Sequence, residues 1–318
     1  MSTEAQSTGQ QMRAVTFAAY GDSDVLEVSE VPRPSVGAGE IGVKVILAGV
    51  NPFDVKVRSG AMADVMALPL PAIPGLEFAG VVDEVGDGVG DVEIGARVVG
   101  WGAGHHGTYA EFSVARVYVP IPDDLSYQEA VTVPVAGDAA ARAVGEVEVV
   151  SDDVVVIHGA SGGVGSIAVG LALDAGATVI GTASARNQDF VASLGAIPVL
   201  NGEGMIDRIR AATPRPVTAA CDLVGNGVLP QLVALCGSAR RVVTIADPGA
   251  SDLGVTFSGS QDEKSRRETL ARNLELLEEG TIITRVADVY ELDEAANAQD
   301  LSSSGHAGGK VLITPISL

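Results

Sequence analysis

Gly159, Gly162, Gly163 and Gly165 crowd into one turn directly after the apolar, β-branched run Val154–Ile157. Such a run suits a strand buried on both faces of a parallel sheet. Ser166–Ala175, rich in Ala and Leu, reads as the helix that follows. Strand, glycine turn and helix together can cradle a phosphate. A helix N-terminus offers unpaired N–H groups and a partial positive charge, and glycines let a pyrophosphate come close because no Cβ intervenes. The candidate cradle is Ala160, Ser161, Gly162, Gly163, Val164 and Gly165. Its best fit to the dinucleotide pattern G-x-G-x-x-G is A-x-G-x-x-G, at Ala160, Gly162 and Gly165. Taken alone, the turn also fits a tight connection with no ligand, or one serving another cofactor.

A second chemical signal follows. Dinucleotide sites that prefer NAD carry Asp or Glu at the end of the second strand, about 20 residues after the turn, where it holds the ribose 2′-OH and repels a 2′-phosphate. Here the second strand, Thr178–Gly181, runs into Thr182-Ala183-Ser184-Ala185-Arg186, with no acid before Asp189. Ser184 offers a hydroxyl, and Arg186 a guanidinium able to bind phosphate bidentately. The expected cofactor is therefore NADPH rather than NADH; the alternative is an Arg186 that faces solvent at a helix start.

These residues need elements to position them. From the glycine turn onward, strands and helices alternate: Asn187–Leu194 helix, Ile197–Leu200 strand, Met205–Ala212 helix, Thr218–Cys221 strand, Leu229–Leu235 helix and Arg241–Ile245 strand. That alternation implies a doubly wound parallel sheet, with Leu253–Phe257 as one more strand at its edge. Tyr127–Val147 leads into it as a helix, with a break around Pro134 and Gly137. The earlier part reads differently: short strands at 12–17, 26–31, 40–47, 77–85, 96–100 and 107–114, punctuated by Gly and Pro, suggest a compact barrel-like β domain ending near Pro120-Ile121-Pro122. Asn51–Gly60 reads as a short helix entered through Pro52. Glu263–Glu279 is an amphipathic helix, with Leu270, Leu274 and Leu277 at helical spacing. β character returns at Ile282–Val289 and Lys310–Ile313 around a helix at Leu292–Leu301, and this tail is expected to rejoin the first domain.

Composition bounds the partners. A chain of 318 residues, 47% of them hydrophobic, can bury about two domains. No apolar run reaches the ~18 residues of a membrane span. The polar start, residues 1–11, lacks a basic, apolar leader and is expected to be a disordered tail. The net charge is −21, from 41 acids against 20 bases. That argues against a nucleic-acid surface and opposes an anionic ligand at long range. A phosphate site must then rely on local N–H groups and a few placed bases. Cys221 and Cys236 form no metal-like pair and read as thiols of a reducing cytoplasm.

Several segments in order resemble the zinc-independent, zeta-crystallin-like quinone oxidoreductases of the medium-chain dehydrogenase/reductase superfamily. They are NPFDVKVRSG at 51–60, PGLEFAGVV at 74–82, GTYAEF at 107–112, HGASGGVGSIAVGLA at 158–172, GTAS at 181–184 and GHAGGKVLI at 305–313. The resemblance runs from about Met12 to the C-terminus. It implies an α/β chain of two parts: a GroES-like β-barrel catalytic domain, 12–126 and 259–318, and an inserted Rossmann domain with a doubly wound parallel sheet, 127–258. NADPH would bind between them. A homodimer formed through Leu253–Phe257 is also implied.

In zinc-binding relatives a Cys stands where this chain has Asn51 and a His where it has Leu76. Only Glu77 is left of that neighbourhood, too few ligands for a catalytic zinc, and no metal is expected. His105-His106 do not change this, since adjacent side chains point apart; they belong to a glycine-flanked loop at the cleft edge. Without a Lewis acid, a quinone or α,β-unsaturated carbonyl is the easier hydride acceptor, because the resulting anion is delocalised. The resemblance places Asn51 beside the nicotinamide as the catalytic candidate in contact with cofactor or substrate, Thr132 and Val133 by the nicotinamide or its phosphate, and Lys310 within reach of the cofactor. Phe53 either walls the substrate pocket or packs in the core. Asp54 caps or pairs within the short helix, Tyr109 packs, and His158 is structural. Two further readings stand: an enoyl reductase for a specialised acyl substrate, and an NADPH-holding crystallin-like or regulatory protein with little turnover.

Overall fold

The computed structural model describes residues 10–316. Residues 1–9 of the expected tail lie outside this range, and Gln11 already opens the first strand. In chain order the first half comprises β1 (Gln11–Thr16), β2 (Glu27–Pro32), β3 (Ile41–Val50), α1 (Pro52–Arg58), β4 (Glu77–Val85), β5 (Arg97–Gly102), β6 (Phe112–Pro120), α2 (Tyr127–Ala130) and α3 (Pro134–Glu146). The alternating part follows with β7 (Val154–His158), α4 (Gly163–Asp174), β8 (Thr178–Ala183), α5 (Gln188–Ser193), β9 (Ile197–Leu200), α6 (Met205–Ala212), β10 (Ala219–Asp222), α7 (Leu229–Cys236), β11 (Val242–Thr244) and β12 (Thr256–Phe257). The chain closes with α8 (Glu263–Glu278), β13 (Val286–Glu291), α9 (Ala295–Ser303) and β14 (Lys310–Thr314).

Strands β7 to β12 form a parallel sheet in the order β12-β11-β10-β7-β8-β9. Every residue of β7 is buried. Val155 and Ile157 face one apolar cluster and Val154 and Val156 the other, as a period of two requires of a strand covered on both faces. Each such side chain contributes roughly 1.5–3 kcal/mol on burial. The strand order reverses between β7 and its two neighbours, so a crevice opens at the carboxyl ends of β7 and β10, where open α/β sheets bind ligands.

The second large sheet runs β13-β14-β3-β4-β5-β6, and an extra β3–β6 pairing closes β3 to β6 into a barrel. Register shifts in β3 between Gly42 and Val43 and between Val45 and Leu47 let its first half pair with β6 and its last residues with β14. The C-terminal tail thus rejoins the first domain. Helix α8 ties the two bodies together. Its Leu270 and Leu274 belong to an apolar cluster with Leu47, Val99, Trp101 and Leu312 of the barrel, while Leu276 belongs to the core of the parallel sheet.

Several local readings change: the strand expected at 107–114 runs as Phe112–Pro120, and the one expected from Ile282 starts at Val286. The helical break before the glycine turn falls ahead of Pro134, which takes the first helical position, where its missing N–H costs nothing; Gly137 lies inside α3, against Asn273 of α8. The expected edge strand shortens to Thr256–Phe257, because Pro248–Leu253 form a 3₁₀ turn whose start is capped by the Asp247 carboxylate. The helix after the glycine turn begins three residues early, at Gly163. Among the described residues no helix is long and apolar enough to cross a membrane.

Candidate active site

The end of β3 sets the barrel wall of the site. Val50 pairs with Val311 of β14, and Gly49 with Glu77 at the start of β4. Asn51 follows Val50 and Lys310 precedes Val311, which brings both beside Glu77. All three are at most 6% exposed. The Asn51 Nδ2 donates to Glu77 Oε1 (2.8 Å), and Lys310 Nζ donates to Asn51 Oδ1 (2.6 Å). Lys310 also forms an ion pair with Glu77 Oε1. The other carboxylate oxygen accepts the Val135 N–H at 2.7 Å. One buried acid is thus held by a charge, an amide and a helix-terminal N–H, as a charge removed from water requires.

Below this triad lies a second buried acid. Asp54 is the third residue of α1, and its Oδ2 accepts both the Asn51 N–H and the Tyr109 hydroxyl, each at 2.9 Å. Asp54 therefore caps its helix, as expected. Tyr109 packs in the barrel core and adds a hydrogen bond that its motif alone did not announce. Burial pushes the Asp54 carboxyl up to about 7, against the pull of those two donors. Between the ordinary value of 3.8 and 7 the folded chain holds a proton that the unfolded chain has lost. This group's contribution to stability therefore falls as pH rises through that window and levels off above it. Asp54→Asn has no proton to lose. The wild-type unfolding free energy, relative to this variant, is expected to drop by about 2–3 kcal/mol between pH 5 and pH 8. Parallel pH profiles in urea melts would contradict the assignment.

The opposite wall belongs to the parallel sheet. A cleft of about 470 Å³ runs between the two and is lined by Asn51, Lys310, Ser161–Gly165, Ser184 and Arg186. At Gly163 a Cβ would meet nothing nearer than 3.9 Å, and at Gly162 only a carbonyl at 3.4 Å. Side chains there would occupy the cleft beside the N-terminus of α4, the space a pyrophosphate needs. The turn and Arg186 fit the phosphates of a dinucleotide. Ala160, in contrast, is fully buried and outside the lining; its N–H bonds to the Thr182 carbonyl at 3.0 Å and fastens the turn to β8.

Arg186 reaches across to the His306 carbonyl at 2.7 Å. Near it stands a base that sequence reading missed, Arg285, which donates to Asn187 Oδ1 (3.2 Å) and covers the Phe190 ring at 4.1 Å. Burial and the nearby Arg186 lower its proton affinity. Thr132 and Val133 are buried behind the cleft and do not line it; the Thr132 hydroxyl donates to the Glu129 carbonyl at 2.6 Å. Phe53 is half-buried and also outside the lining. His105 and His106 are exposed in the β5–β6 loop, away from the cleft. His158 ends β7 and lines the cleft, its ring nitrogens 2.7 Å from the Thr182 hydroxyl and 3.2 Å from Asn226 Oδ1. Burial lowers its proton affinity. Among the described residues no three His, Cys, Asp or Glu side chains come together to hold a metal ion.

Known proteins match this arrangement. Residues 37–123 match the alcohol dehydrogenase GroES-like domain and residues 163–276 the zinc-binding dehydrogenase family. A chloroplast envelope quinone oxidoreductase homolog from Arabidopsis thaliana is 32% identical, over 96% of this chain and 99% of its own. A quinone oxidoreductase from Rattus norvegicus is 30% identical, with the same coverage. The solved quinone oxidoreductase of Coxiella burnetii superposes with a TM-score of 0.85 at 30% identity, covering 96% of this chain and 100% of its own. A barrel of GroES-like type, a parallel sheet with a glycine turn and relatives aligned end to end lead to one statement: the chain belongs to the quinone oxidoreductase family of the medium-chain dehydrogenase/reductase superfamily, oxidoreductases built around a nicotinamide cofactor.

Proposed function

We propose that this chain is an NADPH-dependent reductase that passes hydride to a quinone or an α,β-unsaturated carbonyl without zinc. The observation that carries the cofactor choice is the end of β8: Ser184 and Arg186 line the cleft, and no acid precedes Asp189. The barrel wall supports the acceptor class. It presents Asn51 and Leu76 at the positions where zinc-binding relatives carry Cys and His, so a substrate that delocalises its own charge suits it. When bound, the cofactor supplies a hydride. The chain's task is then to hold donor and acceptor in line. The α4 N-terminus and Arg186 hold the phosphates, and Asn51, whose amide has a second N–H to offer, faces the cleft from the barrel side. Assembly as a homodimer through the exposed edge at Phe257 and a cytoplasmic location, consistent with two free thiols, belong to the same reading.

NADPH oxidation against a panel of quinones and enones, with NADH in parallel, tests it. Arg186→Ala is expected to lower the NADPH-over-NADH preference about 10- to 100-fold, the worth of one charge-assisted hydrogen bond. An unchanged ratio would remove Arg186 from the cofactor site. Tight NADPH binding with no turnover on any acceptor would mark a binding protein instead.

A further inference from the structure

Resting on that functional reading, we propose that Arg285 is a positioning residue for cofactor choice: through the Asn187 amide it fixes the Ser184 hydroxyl as a hydrogen-bond donor to the 2′-phosphate. Arg285 itself stands outside the lining of the cleft, whereas Ser184 and Asn187 belong to it. Arg285 Nη2 donates to Asn187 Oδ1 at 3.2 Å, and Asn187 Nδ2 donates to Ser184 Oγ at 3.3 Å. A guanidinium has donors and no acceptor. It therefore turns the amide oxygen toward itself and the amide N–H groups toward Ser184. The Ser184 oxygen receives a hydrogen from that amide, so its own O–H points elsewhere. Among the described residues this hydroxyl bonds to nothing but Asn187, and the space beside it is the cleft.

The polarity of that hydroxyl discriminates between cofactors. A phosphate dianion presents acceptor oxygens only, whereas a ribose 2′-OH both gives and takes a hydrogen bond. With the amide turned over, its oxygen would take the Ser184 hydrogen, and the serine would show the cleft its lone pairs, which repel a phosphate and suit a 2′-OH. Arg285 prevents that turn, and it is itself held in place. Its carbonyl accepts the Lys310 N–H at 2.7 Å, and its guanidinium covers the Phe190 ring. Gly308 closes over the Arg285–Asn187 bond: a Cβ there would lie 3.1 Å from Nη2 and 3.8 Å from Asn187 Oδ1. Asn187 is 9% exposed, and its N–H bonds to the Ser184 carbonyl at 3.0 Å. Arg285 directly precedes β13 of the barrel sheet, while Ser184 and Asn187 follow β8 of the parallel sheet. The relay thus crosses from one domain to the other, and the donor is oriented before any cofactor arrives.

The test is a double-mutant cycle on the full-length chain, read by binding rather than turnover. NADPH and NADH are each titrated by fluorescence against wild type, Arg285→Met, Ser184→Ala and the double variant, with thermal melts alongside. Wild type is expected to bind NADPH more tightly than NADH. Arg285→Met should lower that preference about tenfold, with NADH affinity kept within about twofold. Ser184→Ala should lower it by a similar factor. The double variant should lose no more than Ser184→Ala alone, because Arg285 then has nothing left to orient. Two losses that multiply would overturn the proposal, since Arg285 would be acting on the phosphate by its own charge. Equal losses for NADPH and NADH in Arg285→Met would also overturn it, marking a structural part only. If Arg285→Met does not fold, Asn187→Ala removes the middle of the relay and carries the same cycle. A wild type that binds NADH as tightly as NADPH defeats the functional reading and the relay together; a wild-type preference kept intact by Arg285→Met defeats the relay alone.

Discussion

Glu77→Ala is expected to cost about 3–5 kcal/mol of unfolding free energy, the usual penalty when one partner of a buried ion pair is removed. Glu77 is fully buried and receives Asn51 Nδ2, the Val135 N–H and the Lys310 ammonium. Alanine leaves a lysine that is 5% exposed without its counter-charge, and a helix-terminal N–H without an acceptor. The neighbouring strand is built around this acid: a Cβ at Gly49 would lie 2.3 Å from Glu77 Oε1, so only glycine fits opposite it. Glu77→Gln keeps an oxygen for the Val135 N–H and should lose clearly less. Urea denaturation of the three proteins gives the comparison. Two variants both within about 1 kcal/mol of wild type would mean that the triad carries no net stability.

Gly165→Ala is the second large effect. A Cβ there would stand 2.1 Å from the Gly159 carbonyl oxygen and 2.8 Å from the Ala160 Cα. Both are backbone atoms of the turn, so α4 must move away from β7 or the turn must deform. Overpacking of this kind costs about 1–3 kcal/mol, and displacement of the α4 N–H groups should weaken NADPH binding by at least about tenfold. Gly163→Ala is the matched control, because its Cβ has room. Its stability should stay near wild type while its methyl narrows the phosphate cradle, so affinity falls without a change in melting. Thermal melts combined with NADPH fluorescence titrations separate the two. A Gly165→Ala protein that melts with wild type would show that the turn yields freely.

Much of this was legible before any coordinates. Val154–Ile157, with the glycines behind it, announces a buried parallel strand and a glycine turn into a helix, because a strand covered on both faces has no polar alternation. Met205–Ala212 and Ile197–Leu200 fall at their sequence-expected bounds. The differences arise where local chemistry competes with pattern. Asp247 and Pro248 turn the start of the expected edge strand into a capped 3₁₀ turn, and Pro134 opens a helix that runs on through Gly137.

The site divides in the same way. Ser161–Gly165, Ser184 and Arg186 are close in sequence to the strand ends that carry them, so their types and spacing place them at one crevice. Glu77 carried only a hint, an acid directly before the apolar run Phe78–Val82. Asn51 lies 26 positions from Glu77 and 259 from Lys310. No periodicity connects such distances. Only the pairing of β14 and β4 on either side of β3 brings the three together, and only burial there makes an amide, an acid and an ammonium depend on one another. The sequence by itself determined a buried strand, a glycine turn and a helix in the pattern of a dinucleotide-binding unit. The tertiary structure decided which charge faces the cleft from the other wall, because that charge is held by strand register and desolvation, neither of which is a property of local sequence.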